Sequence, residues 1–371
     1  MKKRKVVLLD IFYLLMAQTG IKTYTETLIE VFQHYPEDDF QVVVYPSLEK
    51  IQKITFFKGR ISLWKRLLFQ LIYHGYKLTW LPIKSHLVQA RVVINPDILS
   101  NIWGKGTIVQ VHHDTFLWDS PEHYNPTWLK GYLRLLHAAH RRGRAAILTI
   151  SEFSKERLGH IFPKAKSIDT IYPSVHLGLN NKAATPSPIS DLYLLHVGVF
   201  EKRKNLVSLI EAFYLVLQKS PDLKLVLVGQ SAPKPDMDAS AEMEATVQRL
   251  GLEDRVIYTG YLSQQALQQY YQHAAMYVFP SKNEGFGVPI LEAFYHRLTV
   301  VISPQGALKE IGDAGVYVAA GYEPKALAAA IDTVLSDEQL QKALIMAGQQ
   351  RLTYFSQERY AKDLYQWLRK L

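Results

Sequence analysis

Cysteine is absent from the 371 residues. Disulfides and thiolate metal sites are therefore excluded, and the composition fits a reducing compartment such as the cytoplasm. Long apolar runs are missing too: no stretch reaches the roughly 18 residues that a membrane-spanning helix needs. The opening "MKKRKVVLLDIFYLLMAQTG" imitates a secretory leader, but Asp10 interrupts its apolar stretch and no small-x-small cleavage site follows. It reads better as a first buried parallel strand over Val6 to Leu9, followed by a loop and a helix. Acids are in short supply, with 34 Asp and Glu against 43 Lys and Arg, a net charge of +9. Such a balance suits anionic partners: nucleotides, phosphates or anionic lipid. A nucleic-acid partner is not expected, because no binding-module signature appears. Repeats and low-complexity tracts are absent.

Hydrophobic residues make up 48% of the chain and charged residues 21%, ample material for about two cores at this length. Short apolar runs alternate with segments of helical period. The strand candidates of the first half are "KVVLL", "FQVVVY", "RVVIN", "TIVQV" and "AAILTI"; those of the second are "LYLLHVG", "LKLVLVG", "RVIYTG", "AAMYVFP" and "TVVIS". Strands alternating with helices predict parallel sheets covered on both faces. The Pro- and Ser-rich "LNNKAATPSPISD", residues 179–191, is the linker candidate. This predicts an α/β chain of two domains, 1–180 and 181–350, with ligands bound at the carboxyl ends of strands. Residues 323–371 should be helical, and the last helix, within 351–371, has the apolar spacing to dock back on the first domain.

One segment concentrates the positive charge. From Lys50 to Lys84 there are eight Lys or Arg and no acid, interleaved with aromatic and aliphatic residues: "FFKGRISLWKRLLFQLIYHGYKLTW". An amphipathic surface on an anionic membrane face would look like this. So would a solvated basic helix packed on its own domain.

Two strings could carry chemistry. In "VFEKRKN", residues 199–205, Lys202, Arg203 and Lys204 follow a strand end and precede a helix. A helix start favours anions, and Arg and Lys both suit phosphate. In "YVFPSKNEGFGVPILEAF", Gly285 and Gly287 allow positive φ and close approach of backbone to a ligand. Pro289 suits a first helical turn. The amides of Gly285, Phe286 and Gly287 would then face a phosphate, while Glu284 and Glu292 accept hydrogen bonds from sugar hydroxyls.

These strings occur together with "TGIKTY" (19–24), "VHHDTFLWDSPEHY" (111–124), "TISEFSKERL" (149–158), "IYPSVH" (171–176), "LVLVG" (225–229) and "YTGYLSQQAL" (258–267). The whole resembles the retaining GT-B glycosyltransferases of the "glycosyl transferases group 1" family, which carries an E-x7-E signature and includes mannosyl-, glucosyl- and rhamnosyltransferases. The resemblance implies a GT-B fold, two doubly wound Rossmann-like domains facing across a cleft, the first binding acceptor and the second nucleotide sugar. It implies that Arg203 and Lys204 bind the donor diphosphate, Glu292 the ribose, and Glu284 the transferred sugar. Gly285, Phe286 and Gly287 would lie by phosphate and sugar, Tyr261 and Leu262 by the nucleobase, and Gly20 in the loop after the first strand. His113 with Asp114 would lie near the reacting centre.

The implied reaction moves a hexose from a nucleotide-diphosphate sugar, GDP-mannose first and UDP-glucose second, to a hydroxyl of a glycan or lipid-linked acceptor in cell-surface polysaccharide synthesis. It proceeds with retention and without metal or cofactor, at the cytoplasmic side or peripherally on the inner membrane face. Domain closure would exclude water. The sequence departs from the family pattern where Ser174 replaces a usual Gly, His176 a usual Asp, and "TGIK" the common "GGIGR"; two histidines, His112 and His113, stand where one is usual. Other readings are a sugar-nucleotide epimerase, a non-catalytic sugar-nucleotide-binding protein, or a glycoside hydrolase using both glutamates. "GKGT" (104–107) is no phosphate loop, since position 99 is Leu. His137 and His140 have no third metal ligand at suitable spacing.

Overall fold

A computed structural model of the chain describes residues 4–17, 20–54, 56, 62–140, 143, 145–175 and 186–371. Most of the expected linker lies outside these residues, as do Lys58, Arg60 and His176. The chain divides into two compact units, one of residues 1–174 with 355–371 and the other of residues 175–354.

In the first unit the order is β1 (Lys5–Asp10), α1 (Gly20–His34), β2 (Phe40–Tyr45), α2 (Leu48–Lys53), α3 (Leu63–Gly75), a π-helical stretch (Tyr76–Trp80), α4 (Leu81–Leu87), β3 (Val92–Asn95) and β4 (Thr107–His112). Then follow α5 (Phe116–Asp119), α6 (Pro126–His140), β5 (Ala145–Thr149), α7 (Glu152–Ile161) and β6 (Ile168–Thr170). Among the described residues they form a six-stranded sheet of order β2-β1-β3-β4-β5-β6, parallel throughout. The Val- and Ile-rich runs of β1, β3, β4 and β5 are buried on both faces, as a helix-covered parallel sheet requires.

The second unit runs β7 (Tyr193–Val197), α8 (Leu206–Val216), β8 (Lys224–Val228), α9 (Ser240–Leu250), β9 (Val256–Gly260), α10 (Gln264–His273) and β10 (Met276–Phe279). It continues α11 (Val288–Tyr295), β11 (Thr299–Ile302), α12 (Gly306–Gly312), β12 (Val316–Val318), α13 (Pro324–Ser336) and α14 (Glu338–Thr353). Its sheet, again six-stranded and parallel among the described residues, has the order β12-β11-β10-β7-β8-β9. Ile210 and Phe213 of α8 and Leu327 and Ile331 of α13 pack with Leu194, Leu225 and Val278 of the strands into one core. From β7 the chain first moves to β8 and β9, then returns to lay β10 on the other side. The carboxyl ends of β7 and β10 therefore flank a topological switch point.

The last helix, α15 (Gln357–Lys370), belongs to the first unit and packs on α1. Tyr365 packs its ring against Phe32 and Phe40, and Trp367 donates to Asp169 at 2.9 Å.

Two expectations need correction. Strands β6 (IDT) and β12 (VYV), three residues each, join the sheet edges and are absent from the strand candidates. Lys77, counted with the basic surface segment, is wholly buried. Its ammonium lies 2.6 Å from Asp10 and 3.0 Å from both Asp97 and Asn95, at the carboxyl ends of β1 and β3. Burial works against its charge, but Asp10 and Asp97 outweigh that and hold its pKa above the ordinary value.

Candidate active site

The loops after β7 and β10 meet at the switch point. After β7, a 3-10 turn over Lys202–Lys204 ends at Asn205 in the left-handed conformation, and α8 begins. After β10, Pro280 to Gly287 lead into α11, with Pro289 in its first turn. The two loops are tied by backbone and side chain: the Lys282 amide donates to the Arg203 carbonyl at 2.8 Å, and Arg203 donates to the Asn283 carbonyl at 2.9 Å.

Three groups converge on one oxygen of Glu284. Lys204 Nζ lies 2.6 Å from Oε1, Ser281 donates to it at 2.6 Å, and Arg203 Nη1 lies 3.0 Å away. The Glu284 carbonyl accepts from Gln305 at 3.1 Å. Burial would raise the Glu284 carboxyl, yet the Lys204 and Arg203 charges and the hydrogen bonds outweigh it, so its pKa falls below the usual value. Lys204 is held below its usual value by burial, which Glu284 offsets only in part. The result is a pre-positioned pair of cations at strand ends, Lys204 buried and Arg203 partly exposed, with the Glu284 carboxylate between them and Glu201 also paired to Arg203 at 2.5 Å.

Of the two loop glycines, Gly287 takes the positive φ, 125°. A Cβ there would come within 3.0 Å of Leu308. Gly285 does not share that conformation, so only one of the two positions needs glycine for its φ.

Glu292 lies elsewhere along α11 and does not join the Glu284 cluster. Tyr271 of α10 donates to its Oε2 at 2.8 Å. Burial raises its pKa, a shift the Tyr271 hydrogen bond only partly opposes. Gln264, Gln268, Tyr271, Tyr295 and His296 line a small pocket around it. Tyr261 and Leu262 lead into the same α10, which Ser263 caps. Tyr261 is 82% exposed, an open aromatic face beside that pocket's helix.

In the first unit, the two neighbouring histidines have separate fates. His112 ends β4 fully buried against Trp118 and Phe162, and burial lowers its pKa to about 3. His113 follows the strand, edge-on to Tyr24 of α1 at 4.8 Å, with Nε2 2.8 Å from the Pro96 carbonyl. A carbonyl only accepts, so Nε2 carries the ring proton and Nδ1 is the acceptor nitrogen. Burial lowers the His113 pKa to about 4, so the ring is neutral near pH 7. Asp114 accepts from the Phe116 amide at 3.0 Å, which turns the chain into α5. Gly20 is the first residue of α1 and not part of the preceding loop. His140 pairs with Gln110 at 2.6 Å, and His137 packs on Phe162.

The expected site residues thus separate: Arg203, Lys204 and Glu284 lie together; Glu292 lies against Tyr271 of α10, the helix that Tyr261 and Leu262 precede; and His113 lies near Tyr24. Sequence reasoning missed four participants: Ser281, Gln305, Tyr271 and His196. His196, the penultimate residue of β7, lies near Lys204 and stacks on Tyr277, with Nδ1 donating to the Val278 carbonyl at 2.9 Å. A lone histidine closing the apolar run "LYLLHVG" could have drawn attention to it. Tyr271 is one tyrosine in an ordinary helix and offered no such signal.

A doubly wound second unit with paired cations at its switch point, joined to a second parallel α/β unit, is the architecture of a GT-B glycosyltransferase. The fold comparisons agree. Sucrose-phosphate synthase of Thermosynechococcus elongatus superposes with a TM-score of 0.72 at 19% identity over 99% of both chains. Anabaena HepE, solved in complex with UDP and glucose, gives 0.69 at 19% identity over the full length of both. Residues 180–351, nearly the whole second unit, match the family model of glycosyl transferases group 1. The O-antigen chain mannosyltransferase B of Escherichia coli is 28% identical over 261 residues, 67% of each chain. Two other curated glycosyltransferases are matched over only 56% and 54% of their own length.

Proposed function

We propose that this chain is a retaining, metal-independent hexosyltransferase that takes its sugar from a nucleotide diphosphate. The observation that carries the reading is the convergence of Lys204, Arg203 and Ser281 on Glu284 at the carboxyl ends of β7 and β10. Fixed cations at this place are what a departing diphosphate needs. Charge builds on the leaving phosphate as its bond to the anomeric carbon breaks, and pre-positioned donors stabilise it without reorganising. Arg203 presents a planar fork and Lys204 a point charge to the two phosphates. The Glu284 carboxylate takes hydrogen bonds from hydroxyls of the transferred sugar, and Glu292 from those of the ribose. Tyr261 stacks on the base.

The acceptor hydroxyl attacks the anomeric carbon from the face the phosphate leaves. One carbon–oxygen bond breaks, one forms on the same face, and the hydroxyl proton passes to the leaving phosphate oxygen. His113 serves as a neutral hydrogen-bond acceptor through Nδ1, orienting a hydroxyl. GDP-mannose is the first donor, supported by the E. coli relative's naming as a mannosyltransferase. UDP-glucose is second, in line with the ligands of HepE. The acceptor is a glycan or lipid-linked saccharide of cell-surface polysaccharide synthesis.

The test is to incubate the protein with each donor and a saccharide acceptor, then assign the product's anomeric configuration by NMR. A product with the donor's configuration supports the reading. Inverted product, or epimerised donor in the absence of acceptor, overturns it.

A further inference from the structure

From Leu63 to Leu87 the first unit carries one unbroken helical run, α3, the π-helical stretch and α4. Its inner side is fully paired: Phe69, Tyr73, Tyr76 and Leu81 are buried, and Lys77 binds Asp10 and Asp97. Its outer side is not polar. Trp64 is 57% exposed, Leu71 73% and Leu87 74%, and Leu67, Trp80 and Ile83 are exposed with them. Leu71 and Ile83 are twelve residues apart, about a third of a turn out of phase in a regular α-helix. The π-helical stretch absorbs about one residue and returns them to one side. The same shift keeps Tyr73, Lys77, Leu81 and Ser85 facing inward. Trp103 donates its indole N–H to the Leu78 carbonyl at 2.8 Å within that stretch. The outward apolar stripe therefore runs the length of the helix, about 37 Å.

We propose that this stripe rests on an anionic lipid surface. Soluble chains seldom expose a continuous apolar band of this length. Lys65 and Arg66 on α3 accompany it, and no acid occurs in the sequence between Glu49 and Asp97. The Lys65 ammonium lies 4.2 Å from the Phe56 ring centroid and 5.8 Å from that of Trp64, a cation held on aromatic surface at the start of the stripe. Trp and Lys beside exposed leucines match the interface layer of a bilayer with acidic headgroups. A second copy of the same face would set like charges against each other. No helix among the described residues is long and apolar enough to cross a membrane, so the stripe lies along the surface.

The inner side of this helix reaches the acceptor histidine. Lys77 and Tyr73 hold Asp97, and the neighbouring Pro96 carbonyl holds His113. Lipid docking thus fixes the element that braces His113, which suits an acceptor hydroxyl carried on a lipid. The docking stands by itself; the acceptor class rests on the transferase reading.

The experiment is co-sedimentation of the full chain with phosphatidylglycerol–phosphatidylethanolamine vesicles and with phosphatidylcholine vesicles. Two variants accompany the wild type: Lys65→Glu with Arg66→Glu, and Trp64→Ser with Leu67→Ser and Leu71→Ser. All changed residues are half-buried to exposed, and melting curves and nucleotide-diphosphate shifts check that each variant folds and keeps its donor site. The wild type should bind the acidic vesicles, and each variant at least about tenfold more weakly. Equal binding by wild type and variants overturns the proposal. So does equal binding to both vesicle types, or a wild-type dimer that the serine variant dissolves while no vesicle is bound. Donor shifts that persist when vesicle binding fails would leave the transferase reading intact.

Discussion

Lys204 Nζ lies 2.6 Å from Glu284 Oε1, and both side chains are buried. The pair joins the loop after β7 to the loop after β10, eighty residues later in the chain. A buried pair of this kind gains little over an apolar substitute, but removing one partner strands the other charge. Glu284→Ala leaves the buried Lys204 uncompensated, while Arg203 keeps its ion pair with Glu201 at 2.5 Å. Urea unfolding should then show a loss of about 3–5 kcal/mol. Transfer activity should fall by at least about a hundredfold, the loss expected when an electrostatic contact to the reacting centre goes. Full activity in this variant would remove Glu284 from the site.

Glu292 and Tyr271 form a second, separate contact. If Glu292 takes the ribose hydroxyls, Glu292→Ala should weaken nucleotide-diphosphate binding by about tenfold, near 1.4 kcal/mol, at little cost to binding of pyrophosphate alone. Tyr271→Phe should weaken it less, because it removes only the group that orients the carboxylate. Calorimetric titration of each variant measures both effects. An unchanged nucleotide affinity in Glu292→Ala would contradict the assignment.

Gly287 sits at φ 125°, a conformation that strains any side chain, and a Cβ there would lie 3.0 Å from the end of the Leu308 side chain. Gly287→Ala should cost about 1–3 kcal/mol through backbone strain and this contact. Gly285→Ala meets no such φ penalty. A melting comparison of the two variants should show the larger loss at 287.

His112 and His196 are fully buried, with pKa values lowered by burial to about 3 and about 4. In the unfolded chain each titrates near about 6.5. The native state therefore binds fewer protons than the unfolded state between those values. Stability is complete above about pH 6.5 and declines as pH falls toward 4, by up to about 1.4 kcal/mol per pH unit for each histidine. The Glu284 contribution, from a depressed carboxyl, is lost only at lower pH. His112→Phe, which keeps the ring contacts with Trp118 and Phe162, should flatten the slope of melting temperature against pH in this window. Identical slopes in wild type and variant would contradict the buried-neutral assignment.

Ten of the twelve strands among the described residues announced themselves as apolar runs, because a parallel sheet covered on both faces leaves no polar alternation. The exceptions, β6 and β12, are three-residue edge strands: β6 (IDT) has no apolar run, and the apolar β12 (VYV) is too short to stand out. Arg203, Lys204 and Glu284 were visible because each stands in a strand-end loop next to a helix start. Lys77 was misread for the opposite reason: its partners Asp10 and Asp97 lie far away in sequence, and nothing local separates it from Lys65. The π-helical stretch that keeps the 63–87 helix in phase had no local signal either, since its apolar period looks broken until the extra residue is counted.

The most direct test of the account is thermal stabilisation by GDP, UDP, dTDP and ADP, with their monophosphates as controls, in the wild type and in Lys204→Met. The account predicts a clear upward shift with one diphosphate and a smaller one with its monophosphate. Binding at a hundred times the dissociation constant stabilises by about 2.7 kcal/mol. The Lys204→Met shift should be much reduced. No shift with any of the four in folded wild-type protein, or an equal shift in the variant, would contradict a diphosphate site at Arg203 and Lys204.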